Sequence, residues 1–116
     1  GIEAIPMEET ALAAASAGAD LIVNATSIGM SHGADQDRTP LGRNLVPASA
    51  FVCDMVYSPS ETPLLREARA AGASTLGGLP MLIYQGAASF ELWTGRDAPI
   101  EVMFRAAEKA LASPSD

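Results

Sequence analysis

Along the chain, the spacing of apolar and polar positions changes repeatedly, and each change predicts an element. Ile2 to Ile5 reads as a short strand that Pro6 ends. The Ala-rich run "MEETALAAASA", Met7 to Ala17, predicts a helix, with Glu8 and Glu9 in the first turn near the positive end of its dipole. Gly18 stands where a left-handed cap would end it. The apolar run in "DLIVNAT" predicts a strand buried on both faces. Ser31 to Asn44 is polar and turn-rich and predicts a loop, followed by a helical turn from Leu45 to Ala50.

The succession then recurs. "FVCDMVY" predicts a second buried strand, and "SPSETP" a turn into a helix that Ser60 can cap, with Pro63 in the first turn, where a missing N–H is tolerated. In "LLREARAAGAS", Leu64, Leu65, Ala68 and Ala71 form an apolar stripe while Arg66, Glu67 and Arg69 face water, and Gly72 takes the cap position. "STLGG" predicts a third strand. It leads into "GLPMLIYQGAASFELWTG", a helix with Leu79, Met81, Leu82, Ile83, Phe90, Leu92 and Trp93 available for burial. A last amphipathic helix, residues 100 to 112, would bury Ile100, Met103, Phe104, Ala107 and Leu111, with a fraying tail, "SPSD". Strands alternating with helices through short glycine-capped loops predict an α/β fold, a Rossmann-like parallel sheet with crossover helices. Because the first residues already read as a strand, the chain is expected to begin inside a domain. Residues 1–95 then form the carboxyl-terminal part of an incomplete nucleotide-binding domain, and 96–116 a terminal helix and tail.

Composition narrows the function classes. The 116 residues suffice for one modest domain, and a hydrophobic content of 48% excludes a disordered chain. A net charge of -7 argues against nucleic acid as a partner. No apolar run approaches the roughly 20 residues that cross a bilayer, and the start does not resemble a signal peptide, so no membrane and a cytoplasmic location are expected. Cys53 is the single cysteine and His32 the single histidine, which leaves neither an internal disulfide nor a metal-ligand cluster.

Ligands of open parallel sheets bind beyond the carboxyl ends of the strands, and three such ends carry candidate chemistry. In "NATSIGM", the residues Asn24, Ala25, Thr26 and Ser27 can bring amides and hydroxyls to a phosphate or ribose, or simply cap a turn. In "DMVYSP", alternation puts Met55 and Tyr57 on one face and Asp54 on the other. Met55 can pack on a flat ring and Tyr57 can offer its hydroxyl, while Asp54 suits a structural role, accepting bonds from backbone amides. Gly78 permits close backbone approach, and the following helix sets Met81 and Gln85 on one face. Gln85 either satisfies something inside the protein or faces a ligand. No G-x-G-x-x-G, P-loop or Ser–His–Asp set occurs, Lys109 is the sole lysine, and no catalytic acid or base emerges.

The blocks "NATSIGM", "DMVYSPSETPLL" and "GLPMLIYQGAASFELWTG", in this order and spacing, closely resemble the carboxyl-terminal half of the shikimate dehydrogenase family. The resemblance implies an oxidoreductase that reduces 3-dehydroshikimate to shikimate with NADPH in aromatic amino acid biosynthesis; related enzymes use quinate or NAD. It implies that Asn24, Ala25, Thr26 and Ser27 line the cofactor, that Met55 lies on the nicotinamide, and that Gly78 offers it a backbone contact, with Met81 walling that side. Tyr57 would approach the substrate carboxylate, and Gln85 would bond substrate hydroxyls. The family's catalytic Lys–Asp pair and glycine-rich loop match no position here, so a separate amino-terminal substrate domain is the implied partner and the chain alone is expected to be inactive. An open sheet edge adds a homo-oligomer as a possible assembly. The other readings are a non-catalytic nucleotide-binding or interaction module and an inactive fragment.

Overall fold

A computed structural model describes residues 1–113. Three parallel strands, β1 (Leu21–Asn24), β2 (Phe51–Asp54) and β3 (Ser74–Leu76), lie in the order β1-β2-β3. Leu21 pairs with Phe51 and Phe51 with Ser74; Asn24 pairs with Asp54 at the last register position. Helix α1 (Glu9–Ser16) precedes β1, α2 (Pro63–Ala70) joins β2 to β3, and α3 (Leu79–Thr94) and α4 (Ile100–Ala112) follow. The expected parallel α/β succession is therefore present. The expected tail lies mostly outside the described residues.

The core is on the helix side of the sheet. Val52, Leu64 and Ala68 are buried with Leu41, Val46 and Ala73, and Leu12, Ile22, Leu45 and Ala71 pack around them. Helix α2 ends in a Schellman arrangement, with the Gly72 N–H bonded to the Arg69 carbonyl and the Ala73 N–H to that of Ala68. This requires the positive φ of 89° that glycine supplies at 72. A bidentate Arg43–Glu67 pair straps the 3-10 turn Arg43–Leu45 to α2, with N···O distances of 3.0 Å.

Several expectations change. Residues 2–5 form no strand, because no neighbouring strand is there to accept their backbone bonds. Gly18 lacks a positive φ; the Ala19 N–H closes the end of α1 on the Ser16 carbonyl instead. The helical turn falls at 43–45, ahead of its expected place. Thr62, not Ser60, caps α2: its hydroxyl accepts the Leu65 N–H at 3.2 Å, with Pro63 at the first helical position. The strands are buried on one face only; the other leaves Leu21, Val23, Phe51 and Leu76 exposed. Nor is α3 wrapped by core. Ile83 and Ala87 are its buried residues, while Leu92 and Trp93 are 85% and 84% exposed.

Helices α3 and α4 pack on each other through an edge-to-face Tyr84–Phe104 contact (centroids 5.7 Å apart) and close approach of Met103 to Gly86. The five residues expected to bury α4 are its half-buried ones, and none is fully enclosed. The radius of gyration is 16.1 Å, against about 13 Å for a compact chain of this length.

Candidate functional site

The site begins with two turns at neighbouring strand ends. At β1, the Asn24 Oδ1 accepts the Thr26 N–H at 3.1 Å and the Thr26 hydroxyl at 2.6 Å, and the Thr26 Oγ1 accepts the Ile28 N–H at 3.1 Å. At β2, the Asp54 Oδ1 accepts the Val56 N–H at 2.9 Å. These side-chain-to-amide bonds turn the backbone sharply. The turns are joined, since the Asn24 Nδ2 donates to the Asp54 Oδ1 at 3.0 Å. The Thr62 hydroxyl donates to the Asp54 Oδ2 at 2.6 Å. Asp54 is fully buried, and these three donors satisfy it.

Above the turns opens a cleft of about 370 Å3, lined by Ala25, Thr26, Ser27, Met30, Ser31, Met55, Val56, Tyr57 and Ser58. The Ser31 N–H donates to the Ser58 carbonyl at 2.7 Å and holds the two loops together. A second hollow, of about 160 Å3, is lined by Met55, Tyr57, Gly78, Met81, Leu82 and Gln85. Met55 and Tyr57 belong to both, so the two spaces adjoin across the end of β2.

Gly78 fixes how α3 meets this rim. A Cβ there would fall 2.5 Å from the Met55 carbonyl oxygen, closer than any real contact, so only glycine lets the start of α3 sit on the end of β2. Gln85 is exposed at the hollow, and its Nε2 donates to the Leu82 carbonyl one turn back at 2.9 Å. That bond uses an Nε2 hydrogen and leaves the Gln85 Oε1 available as an acceptor.

Of the sequence candidates, Ala25, Thr26, Ser27, Met55 and Tyr57 come together in the first cleft, and Met55, Tyr57, Gly78, Met81 and Gln85 in the second. Asn24 does not join them: it is buried, with its amide turned to Asp54 and the Ile28 carbonyl. Thr26 lines the cleft, but its hydroxyl is committed to the turn. Met30, Ser31 and Ser58 line the cleft without having stood out in the sequence, because a loop folding back over the sheet edge leaves no local pattern. Thr62 was visible as a hydroxyl residue directly before Pro63. Among the described residues, no group of three or more His, Cys, Asp or Glu could hold a metal ion, and no helix is long and apolar enough to cross a membrane.

A family model described as the shikimate 5'-dehydrogenase C-terminal domain matches residues 78–108. The chain is also 51% identical over 92 residues to the shikimate dehydrogenase (NADP(+)) of Methanocella arvoryzae. The chain corresponds to a carboxyl-terminal segment of the shikimate dehydrogenases. That alignment covers 79% of this chain and 33% of the relative, so the chain spans about a third of the length of the curated relatives it matches. The Thermus thermophilus shikimate 5-dehydrogenase, solved with NADP(H) and shikimate, is similar at 43% identity and a TM-score of 0.76, over 86% of this chain and 37% of that one. A Corynebacterium glutamicum quinate dehydrogenase, solved with NAD, is similar at 35% identity and a TM-score of 0.75, over 86% and 34%. The shikimate dehydrogenase match thus spans both the strand ends and the α3–α4 pair.

Proposed function

We propose that this chain supplies the nicotinamide and substrate rim of an NADP-dependent shikimate dehydrogenase, working in the cytoplasm with an amino-terminal substrate domain. The observation that carries this reading is the adjoining pair of clefts, in which Met55 and Tyr57 stand between Ser27 on one side and Met81 and Gln85 on the other. The surfaces of Met55 and Met81 suit a flat nicotinamide ring, and the Ser27 and Tyr57 hydroxyls and the Gln85 amide suit hydroxylated ligands. NADPH, when bound, would supply the hydride for the substrate's ring carbonyl, and NADP+ would accept it in the reverse direction; NAD is the alternative carrier. The residues of this chain contribute orientation. Met55 and Met81 hold the ring, Tyr57 meets the substrate carboxylate, and Gln85 bonds its hydroxyls, a kind of pre-alignment that lowers a bimolecular barrier by several kcal/mol. The chain carries no proton-transfer group for the reaction, which belongs to the substrate domain. Its uncovered apolar sheet face is consistent with such a neighbour.

The test joins this chain to the amino-terminal two-thirds of the Methanocella arvoryzae relative and follows shikimate-dependent NADP+ reduction. The chimera is expected to turn over, and the isolated chain is not. Gln85→Ala should lower kcat/KM for shikimate by roughly 10- to 100-fold, the cost of one or two lost hydrogen bonds, and leave the KM for NADP+ unchanged. Unchanged shikimate constants in both Gln85→Ala and Tyr57→Phe would refute the assignment of the rim.

A further inference from the structure

We infer that Thr62, Asp54 and Asn24 form a positioning relay that fixes the separation of the two strand-end loops, with Asp54 at its centre; the inference deepens the proposed function and rests on the clefts being the ligand rim. Capping α2 needs only the Thr62–Leu65 bond, and turning the chain after β2 needs only the Asp54–Val56 bond. Neither task requires Asn24 to bond Asp54, or Thr62 to bond Asp54. Those two buried bonds turn separate local motifs into one continuous path. It runs from the Leu65 N–H through Thr62, Asp54, Asn24 and Thr26 to the Ile28 N–H.

The position of the path matters. Asn24 and Asp54 are the last register partners of β1 and β2, where the strand pairing stops. Beyond them the backbones separate to form the mouth of the cleft, linked by the Met55 N–H to Asn24 carbonyl bond and the Ser31–Ser58 bond. The side-chain bond between Asn24 and Asp54 therefore sets the width at the floor. It also sets the direction in which Met55 and Tyr57 leave the sheet, because the same Asp54 oxygen holds the Val56 N–H between them. An exposed version of this network would be slack in water. Here Asn24 is 4% exposed and both Asp54 and Thr62 are 0% exposed, so the bonds that join these three side chains are held at low dielectric and are costly to leave unmade. In these terms Asp54 acts through Met55 and Tyr57 and has no contact of its own with the cleft.

The experiment compares amide hydrogen exchange in the 116-residue chain, normalised to global unfolding, for Thr62→Val, Thr62→Ser and Asp54→Asn. Thr62→Val should speed exchange at Val56, Thr26 and Ile28 by about tenfold, the effect of losing one buried bond, with Val52 and Ala68 unchanged. Thr62→Ser, which keeps the hydroxyl, should restore slow exchange. Asp54→Asn should extend the loss to both loops; if it does not fold, the threonine pair still decides. Acceleration confined to Leu65 and Arg66 would reduce Thr62 to a helix cap and overturn the relay. Uniform acceleration at every amide would overturn it as well. A parallel titration with NADP+, read at the Met55 methyl of the unsubstituted chain joined to the amino-terminal two-thirds of the Methanocella arvoryzae relative, tests the ligand reading separately. The absence of a shift there would count against nucleotide binding, while the nucleotide-free exchange data would still decide the relay.

Discussion

The two faces of the sheet were built from similar residues and came to different ends. On the helix side, Ile22, Val52 and Thr75 meet α2 and the surrounding loops, and Val52 is 0% exposed. On the other side, Leu21 and Val23 of β1, Phe51 of β2 and Leu76 of β3 form an apolar strip, paired in register, that this chain leaves in solvent. The strands themselves hardly distinguish the faces: β-branched and aliphatic residues occupy both. What differs is whether another element of the chain returns to cover them. One face holds the fold together, and the other is a surface the fold presents.

This contrast can be broken experimentally, starting where the largest effect is expected. Leu64→Ala on the covered side should cost about 3 kcal/mol by removing a fully buried side chain and leaving a cavity, whereas Leu76→Ser on the open side should change stability by no more than about 0.5 kcal/mol. Equal losses in chemical denaturation would abolish the distinction. Gly78→Ala should cost about 1–3 kcal/mol and displace α3 from the end of β2, visible as shifts at Met55 and Met81. A wild-type spectrum there would mean that this contact is looser than the 2.5 Å approach indicates.

The smallest effect concerns pH. The Glu67 carboxyl is held at about 2, below its ordinary 4.5, chiefly by the hydrogen bond from the Arg43 side chain and then by the Arg43 backbone N–H, with desolvation opposing. Its folded value is depressed, so the strap stabilises above the ordinary carboxylate range and its contribution fades as pH falls from about 4.5 through about 2. An NMR titration of Glu67 should show the low midpoint, and Arg43→Ala should return it upward. An unshifted Glu67 in the parent chain would remove the strap from the covered side's account.

Much of the architecture was legible. Parallel strands, crossover helices and the Gly72 cap follow from periodicity and from glycine's access to positive φ, and these are local properties. The one-sided burial was not legible, because an apolar run looks the same whether its second face is covered by its own chain or by nothing. The choice of Thr62 over Ser60 was within reach, because Thr62 stands directly before Pro63 at the first helical position. The bond from Thr62 to Asp54, a contact across eight residues, was not. Asn24 is a different case. The alternation that sets Asp54 apart from Met55 equally sets Asn24 apart from Ala25, and the register pairs Asn24 with Asp54. Parity within the strand was a sufficient signal that this amide turns inward.

The alternation of β2 does not stop where its hydrogen bonding stops. Residues 51, 53, 55 and 57 remain on the more exposed side through the strand's end, while 52, 54 and 56 stay buried. The open strip thus runs without interruption into Met55 and Tyr57. Whatever is laid along Phe51 and Cys53 would lean on the methionine and the tyrosine too, so finishing the scaffold and readying the pocket would be a single event, and a loosely seated neighbour would be felt first as poorly aligned chemistry.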